Sequence, residues 1–429
     1  MLNGIIALLI FLVTLYLIFS EKVHRTIAGL FGAGAMLVVG KLLGFYDETA
    51  AMHAIDLSTL GLLLGMMLLV ALLEPTGFFE FIAIYAARVS RGKPVILLVM
   101  LGSITTVLSM FLDNVTTVIL IAPVTILVCE LLGINPSPYL ITEALLSDTG
   151  GIATLIGDPP NVLIAAAADL TFNDFLSNSL PIVAVAWITA LLLLRFLFRK
   201  DLKTPPENIE VLMELDPMEV FKDRRTARKV LVVLVCAVIL FFFEEALHIT
   251  PELIAMGAAT IALIWIRPDL PKILERVEWS VLVFFIALFV MVGGLESTGI
   301  LGTLAQKISF IARDHPLLFG IIILWSVAGL SAFLDNVPVT IALIPVIQGL
   351  AQSGINVHPY WWALAFGAGL GGNGTIIGST ANIIVASLSE RTRHPITVKL
   401  WNQRGLPVML ATLVVTTILY IIAFPLYSR

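Results

Sequence analysis

The chain has 429 residues, of which 59% are hydrophobic and only 13% are charged, and its mean hydropathy is +1.02. Soluble domains carry about 25% charged residues, and the apolar residues here extend along nearly the whole chain. The composition therefore predicts an all-α polytopic membrane protein. The net charge of −5 decides little, because the location of Lys and Arg matters more in a membrane protein than their sum.

The motifs that carry enzyme chemistry or ATP-driven pumping are missing from the sequence: there is no CxxC, HExxH, P-loop or GxSxG. Cys129 and Cys236 lie in apolar runs and are expected to pack rather than to form a disulfide or bind metal. The histidines show no metal-ligand spacing. We predict a protein that is not an enzyme, with no catalytic residue, no cofactor, no bound metal and no nucleic acid partner.

Domain 1–198 is predicted to begin with three membrane spans, since runs long enough to cross about 30 Å of hydrocarbon lie at 4–20, 25–44 and 57–73. The charged amphipathic piece 78–91 is expected to lie along the membrane surface. It is followed by an apolar run at 94–132, a stretch interrupted by Gly and Pro at 138–168, and a span at 180–198.

Residues 199–229 are rich in charge and contain Pro205-Pro206, so we expect a solvated linker there. Domain 230–429 then repeats the plan. It has predicted spans at 230–247, 251–266 and 279–295, a surface helix at 300–313, a centred run at 316–352, an interrupted stretch at 359–388 and a last span at 405–426.

The two halves match residue by residue. Asp113-Asn114 returns as Asp335-Asn336 at an offset of 222, and beyond this motif Gly150-Gly151 matches Gly371-Gly372 at an offset of 221. Polar matches in register indicate a duplication. Asp148 and Asp158 have no acidic match, because Gly369 and Ser379 stand opposite them.

Basic residues cluster in the loops that we place in the cytoplasm, whereas loops 45–56 and 169–179 are acidic or nearly free of base. This pattern puts the N-terminus outside the cytoplasmic (inner) cell membrane and linker 199–229 inside the cell. Each half has an odd number of full spans, so the second half enters with opposite orientation. Such inverted repeats are typical of secondary transporters.

Each centred run could form two full spans or a re-entrant hairpin. The hairpin is favoured, because the flanks of Asp113 have no loop-like composition and irregular backbone is tolerated inside protein or beside a water-filled cavity. We therefore predict about ten transmembrane helices, two re-entrant hairpins at 94–132 and 316–352, and two broken helices at 138–168 and 359–388.

A carboxylate in hydrocarbon costs roughly 2.5–3.5 kcal/mol, so intramembrane acids mark functional sites by default. Gly- and Pro-interrupted segments at matching positions point to the same region. Helix capping alone, or close packing through glycine, is the structural alternative. The predicted substrate- or ion-binding residues are Asp113, Asn114, Thr116, Thr154, Asp158, Asn161, Asp335, Asn336, Asn373, Thr375, Ser379 and Asn382. Burial favours the neutral form of a carboxyl, and the proton-coupling candidates are Asp113, Asp148, Asp158 and Asp335.

Four segments resemble the ion transporter superfamily, in particular the ArsB/NhaD-type permeases (the arsenite permease and P protein-like group). They are 111–117, 151–161, 331–337 and 371–378. The resemblance implies a scaffold domain and a transport domain of two hairpins and two broken helices, with elevator-type alternating access. It also implies a homodimer and, for an arsenite permease, a soluble ATPase subunit as partner.

The resemblance makes proton-coupled efflux of arsenite or antimonite the first expectation, with a small inorganic solute and H⁺ as partners in the lipid bilayer. Sodium/proton antiport is the second, because the acids could equally ligate Na⁺. A dicarboxylate or other anion ranks lower, because the two tip aspartates would repel it. Two like charges 4 Å apart repel each other by about 4 kcal/mol at an effective dielectric near 20. A passive channel is the alternative of another class.

Overall fold

The computed structural model describes residues 2–19, 22–203, 205–214 and 216–427. Every regular element in this described part of the chain is helical, and eighteen α-helices there have ten residues or more. The all-α fold class is therefore confirmed.

The helices of the first half are, in order, α1 (Leu2–Phe19), α2 (Arg25–Leu43), α3 (Leu57–Leu73), α4 (Phe78–Ser90), α5 (Pro94–Ser109), α6 (Asn114–Leu132), α7 (Ser137–Gly151), α8 (Pro159–Ala168) and α9 (Leu180–Leu197). A short helix, Glu48–Ala54, lies between α2 and α3, and a π-helical turn, Phe175–Ser179, leads into α9.

The second half follows the same order. Its helices are α10 (Arg224–Phe242), α11 (Pro251–Ile266), α12 (Trp279–Ser297), α13 (Ile300–Asp314), α14 (Pro316–Ser331), α15 (Asn336–Gln352), α16 (His358–Gly371), α17 (Thr380–Ser389) and α18 (Val398–Tyr427). The short helices Ile209–Glu214, Glu244–Leu247 and Leu270–Leu274 lie between the longer ones.

Two helices begin before the residues at which hydropathy alone placed them. α10 begins at Arg224 rather than near 230, because the side chain of Asp223 accepts hydrogen bonds from the Arg225 and Thr226 amides. α18 begins at Val398 rather than near 405. Its first turns are polar, but they carry the fully buried Trp401.

Residues at the helix starts determine where the two hairpins begin and turn. Each first arm begins with a proline at its first turn, Pro94 or Pro316, where the missing N–H costs no helical hydrogen bond. Each second arm begins at an aspartate cap, Asp113 or Asp335. The chain therefore reverses over 110–113 and 332–335, where the sequence predicted the tips.

Within the described residues, six helices are long and apolar enough to cross a membrane, or up to seven if one bent pair counts as a single span. The bent pair joins Lys307–Asp314 to Pro316–Ser331 at 119°. Several other apolar helices have 10–17 residues, among them α5, α8, α15 and α17. Short helices of this kind are expected for hairpin arms and for the halves of broken helices.

The packing of one half repeats in the other. α5 packs on α7 as α14 packs on α16, and α2 contacts α12 as α11 contacts α3. The two halves also contact each other symmetrically, because α6 packs against α17 while α15 packs against α8. The second arm of each hairpin thus packs on the broken helix of the other half, which brings the two hairpin tips to the same region. The domain limits and the membrane side of each loop remain predictions.

Candidate functional site

The first hairpin tip is held by its own aspartate. Asp113 Oδ1 accepts hydrogen bonds from the backbone amides of Val115 (2.9 Å) and Thr116 (3.1 Å). Its second oxygen, Oδ2, accepts a hydrogen bond from the Thr116 hydroxyl. That hydroxyl also lies 3.3 Å from Oε1 of Glu278, the residue before α12. The tip therefore places two acidic side chains around one hydroxyl group.

The second tip has different chemistry. Asp335 Oδ1 accepts a hydrogen bond from one backbone amide among the described residues, that of Val337 at 3.2 Å. Its Oδ2 accepts a hydrogen bond from Nη1 of Arg25 at 2.8 Å and one from the Thr380 hydroxyl at 3.0 Å. Position 338 is a proline, which has neither the amide nor the hydroxyl that Thr116 offers at the first tip. This substitution leaves Oδ2 available to Arg25.

Each tip asparagine reaches a buried aspartate behind it. Asn114 Nδ2 donates to Asp148 Oδ1 at 2.7 Å, and Asn336 Nδ2 donates to Asp158 Oδ2 at 2.9 Å. Ser379 also donates to Asp148 Oδ1, at 2.9 Å. The two aspartates are each 1% exposed, and one oxygen of each has no hydrogen-bond partner within the described residues. Two buried carboxyls thus lie between the hairpins, with unused acceptor capacity.

The breaks in the two broken helices are braced by equivalent asparagines. Asn161 Nδ2 donates to the carbonyls of Gly151 (3.0 Å) and Thr154 (2.8 Å). Asn382 Nδ2 donates to the carbonyls of Gly372 (2.9 Å) and Thr375 (3.0 Å). Helix ends leave such carbonyls without a partner, so each asparagine closes one loop over its break.

The same loops are fastened to the hairpins by hydroxyl groups. The Thr154 hydroxyl donates to the Met110 carbonyl, and the Thr375 hydroxyl donates to the Ala332 carbonyl, which is the matching residue of the second tip. Ser109 and Ser331 complete the pattern by donating to carbonyls of α7 and α16 at 2.8 and 2.7 Å. Each hairpin tip is therefore joined by hydrogen bonds to the broken helix of its own half.

A cavity of about 200 Å³ opens between the two tips. Of the predicted binding residues, seven line it: Asp113, Asn114, Thr116, Asp158, Asp335, Asn336 and Ser379. The structure places the others outside this lining, in the broken helices and their loops: Thr154, Asn161, Asn373, Thr375 and Asn382. Asp148 is joined to the lining through Asn114 and Ser379. The binding roles themselves remain predictions.

Charged residues that the sequence did not single out also line the cavity. Arg25, Arg276, Glu278 and Glu74 surround it, and Arg276 pairs with Glu74 at 2.7 Å. Arg25 is the first residue of the predicted span 25–44; it forms the first turn of α2 and reaches the second tip. No local signal predicts this contact, because Arg25 and Asp335 are 310 residues apart.

A second cavity, about 230 Å³, lies among the matching residues of the repeat. Its lining includes Asp56, Phe289, Glu296 and Ile341, which correspond at an offset of 222 to Glu278, Met67, Glu74 and Ile119 of the first cavity. Ala54 lies there in place of Arg276. The repeat therefore builds two related cavities, of which only the first contains the hairpin tips.

Three comparisons extend these observations. The sequence profile of a family described as "Citrate transporter" matches residues 15–367. The chain is 37% identical over 411 residues to the "46 kDa membrane protein" of Mycobacterium leprae, covering 94% of this chain and 95% of the relative. It is 38% identical over 422 residues to the "Uncharacterized transporter Rv2685" of Mycobacterium tuberculosis, covering 97% of each.

The human P protein is 32% identical over 494 residues, which cover 96% of this chain and 58% of that protein. Among solved structures, the YdaH transporter of Alcanivorax borkumensis superposes with a TM-score of 0.60 at 16% identity, over 99% of this chain and 98% of the other. This likeness concerns the fold alone. The resemblance to the ion transporter superfamily is thus confirmed, and the chain is a multi-pass membrane protein that belongs to the Citrate transporter family.

Proposed function

We propose that this secondary transporter exports a small neutral inorganic solute, arsenite or antimonite, in exchange for protons. The observation that carries the proposal is the cavity between the two tips, which is lined by amide, hydroxyl and carboxyl groups from both halves. Arsenite is largely uncharged As(OH)₃ at neutral pH. Such a solute needs hydrogen-bonding partners for its hydroxyl groups rather than a cationic pocket.

The charge of the lining supports a solute that is not an anion. Asp113, Asp158 and Glu278 have no basic partner within hydrogen-bonding distance among the described residues, whereas Asp335 is paired with Arg25. A citrate-like anion in the cavity would meet these carboxyl groups at close range, at a cost of several kcal/mol for each ionised neighbour. The family name therefore does not decide the substrate of this chain.

Sodium/proton antiport is the second candidate, and the first tip favours it. Asp113, Thr116 and Glu278 place two carboxyl groups and one hydroxyl group near one another at the cavity wall. Carboxylate and hydroxyl oxygens are the ligands that hard cations prefer. In this alternative, Na⁺ and H⁺ would compete for the same acids.

Transport by alternating access gives both cavities a role. In this proposal the transport domain, formed by the hairpins and broken helices, carries the tips between the first cavity and its repeat-related counterpart. Two cavities built from matching residues are what an inverted repeat needs for two related end states. The first cavity contains Arg25 and Arg276 and lies, by the predicted orientation, toward the cytoplasm.

The test is uptake into inside-out membrane vesicles under an imposed pH gradient, with arsenite and Na⁺ compared in parallel. We expect vesicles with an acidic interior to accumulate arsenite, and Asp113→Asn and Asp335→Asn to lose this coupled uptake. Absence of arsenite accumulation, together with collapse of the pH gradient by Na⁺, would instead establish the antiporter. Full coupled transport by both variants would mean that Asp113 and Asp335 act only as helix caps.

A further inference from the structure

The two hairpin tips share a sequence motif, but their aspartates make different contacts, and the difference begins with two exchanged residues. Thr116 of the first tip corresponds to Pro338 of the second, and Pro159 at the start of α8 corresponds to Thr380 at the start of α17. The threonine hydroxyl that contacts the tip aspartate therefore comes from the same hairpin at the first tip and from the broken helix at the second.

Because of these exchanges, Asp113 and Asp335 accept hydrogen bonds from different groups. Both oxygens of Asp113 are used within its own hairpin. Asp335 gives one oxygen to a single backbone amide and presents the other to Arg25 and Thr380. Arg25 Nη1 also lies 3.1 Å from the Thr380 hydroxyl, so guanidinium, hydroxyl and carboxylate form a closed triangle.

Arg25 is itself fixed to the opposite side of the cavity. The neighbouring Thr26 hydroxyl donates to the Ser280 carbonyl of α12 at 2.9 Å, and the His24 side chain caps the first turn of α2. The guanidinium carbon lies 5.7 Å from the centre of the Phe284 ring, within cation–π range. The arginine thus extends from the α2–α12 pair to the hairpin tip.

Asp113 of the first tip forms no ion pair in the described part of the chain. The Thr116 hydroxyl that it binds lies beside the acid Glu278 instead. At the offset of 222, the position that matches Arg25 is Leu247. The ion pair is therefore a feature of one half only, and the duplication does not explain it.

We propose that Arg25 is a positioning residue, a tethered counter-ion that holds the second hairpin tip against α2 until a proton or another cation neutralises Asp335. Arg25 and the incoming cation then bind the same carboxylate in competition. By linkage, each weakens the binding of the other. Neutralising Asp335 releases the tip from α2, which couples cation binding to movement of the hairpin. This role rests on the proposed transport function only in its last step.

The tether can be tested without any transport, by hydrogen exchange of purified protein measured by mass spectrometry. The peptide to follow is 331–340, and the matched internal control is peptide 109–118 of the first tip. Arg25→Gln and Asp335→Asn should each speed exchange in 331–340 about fivefold, the factor expected for an ion pair that is partly exposed. Arg25→Lys keeps the charge and should remain close to wild type.

Two further variants separate a tether from general damage. The double variant Arg25→Gln/Asp335→Asn should exchange no faster than either single variant, because both remove the same contact. Pro338→Thr gives the second tip the backbone amide and the hydroxyl that Thr116 offers at the first tip. These donors would compete with Arg25 for Asp335, so this variant should also speed exchange in 331–340. Equal exchange in all variants, or equal acceleration in 109–118, would overturn the proposal.

The competition is tested by the concentration of coupling cation that gives half-maximal transport. Arg25→Gln should lower this concentration about fivefold, because a competitor has been removed, whereas Arg25→Lys should not. A lower maximal rate with an unchanged half-maximal concentration would contradict the competition. If wild-type protein moves no substrate at all, the proposed function fails, but the exchange experiment still decides the tether.

Discussion

Asn382 closes the glycine-rich break of the second broken helix, and its removal is expected to open that loop. In the Asn382→Ala variant the Gly372 and Thr375 carbonyls lose the donors that now lie at 2.9 and 3.0 Å. Gly372 is buried, so its carbonyl cannot recover a water partner, whereas the contact with Thr375 is partly buried.

The cost follows from this burial. Stranding a buried acceptor costs about 1–3 kcal/mol, and losing a partly buried hydrogen bond costs about 0.5–1.5 kcal/mol. We therefore expect Asn382→Ala to lower the free energy of unfolding by about 2–4 kcal/mol. Asn161→Ala should act similarly, since its two bonds have nearly the same lengths in the first half.

The assay is unfolding of purified protein in mixed micelles titrated with SDS, followed by tryptophan fluorescence. Asn173→Ala is the matched control, because Asn173 Nδ2 also donates to one carbonyl, that of Phe242 at 3.0 Å, but at an exposed position. The control should lose less than about 1 kcal/mol. If Asn382→Ala is no more destabilising than this control, the asparagine does not hold the loop.

Three further predictions concern single sites. A Cβ on Gly378 would lie 2.5 Å from the Gly372 carbonyl oxygen, so Gly378→Ala should destabilise the protein by about 1–3 kcal/mol in the same assay; Gly257→Ala, with open space around it, should be neutral or slightly stabilising. Asp158→Asn should remove the dependence of transport on the pH gradient, whereas Glu143→Gln, a buried acid that does not line the cavity, should retain it. The hydrogen bonds of Thr226 lower the pKa of Asp223, so its contribution to stability is present at neutral pH and lost as pH falls through that lowered pKa; Asp223→Ala should cost about 1 kcal/mol at neutral pH and remove this acid sensitivity.

The sequence predicted those parts of the site that depend on local chemistry. Aspartate caps the second helices of the hairpins, glycine interrupts both broken helices, and Pro159-Pro160 follow the first break, so these elements could be placed from neighbouring residues alone. The repeat register then indicated which elements face one another. All of these signals are present within a few residues or at a fixed offset.

What the sequence did not reveal are the contacts between distant positions. Arg25 is an ordinary basic residue at the start of a span, and only the packing of α2 beside the second tip gives it a partner. Asn161 and Asn382 look like binding residues by composition, yet their amide donors point to backbone carbonyls. The direction in which a side chain points depends on tertiary packing, which residue type and spacing do not specify.

If the cavity between the two tips belongs to a secondary active transporter, the protein must concentrate its substrate against a gradient. The most direct measurement is accumulation of arsenite in proteoliposomes that contain the purified protein, with the interior kept more acidic than the medium. Internal arsenite should rise above the external concentration and fall back to it when a protonophore collapses the gradient. Equilibration to equal concentrations without any accumulation would instead indicate a passive channel and rule out active transport.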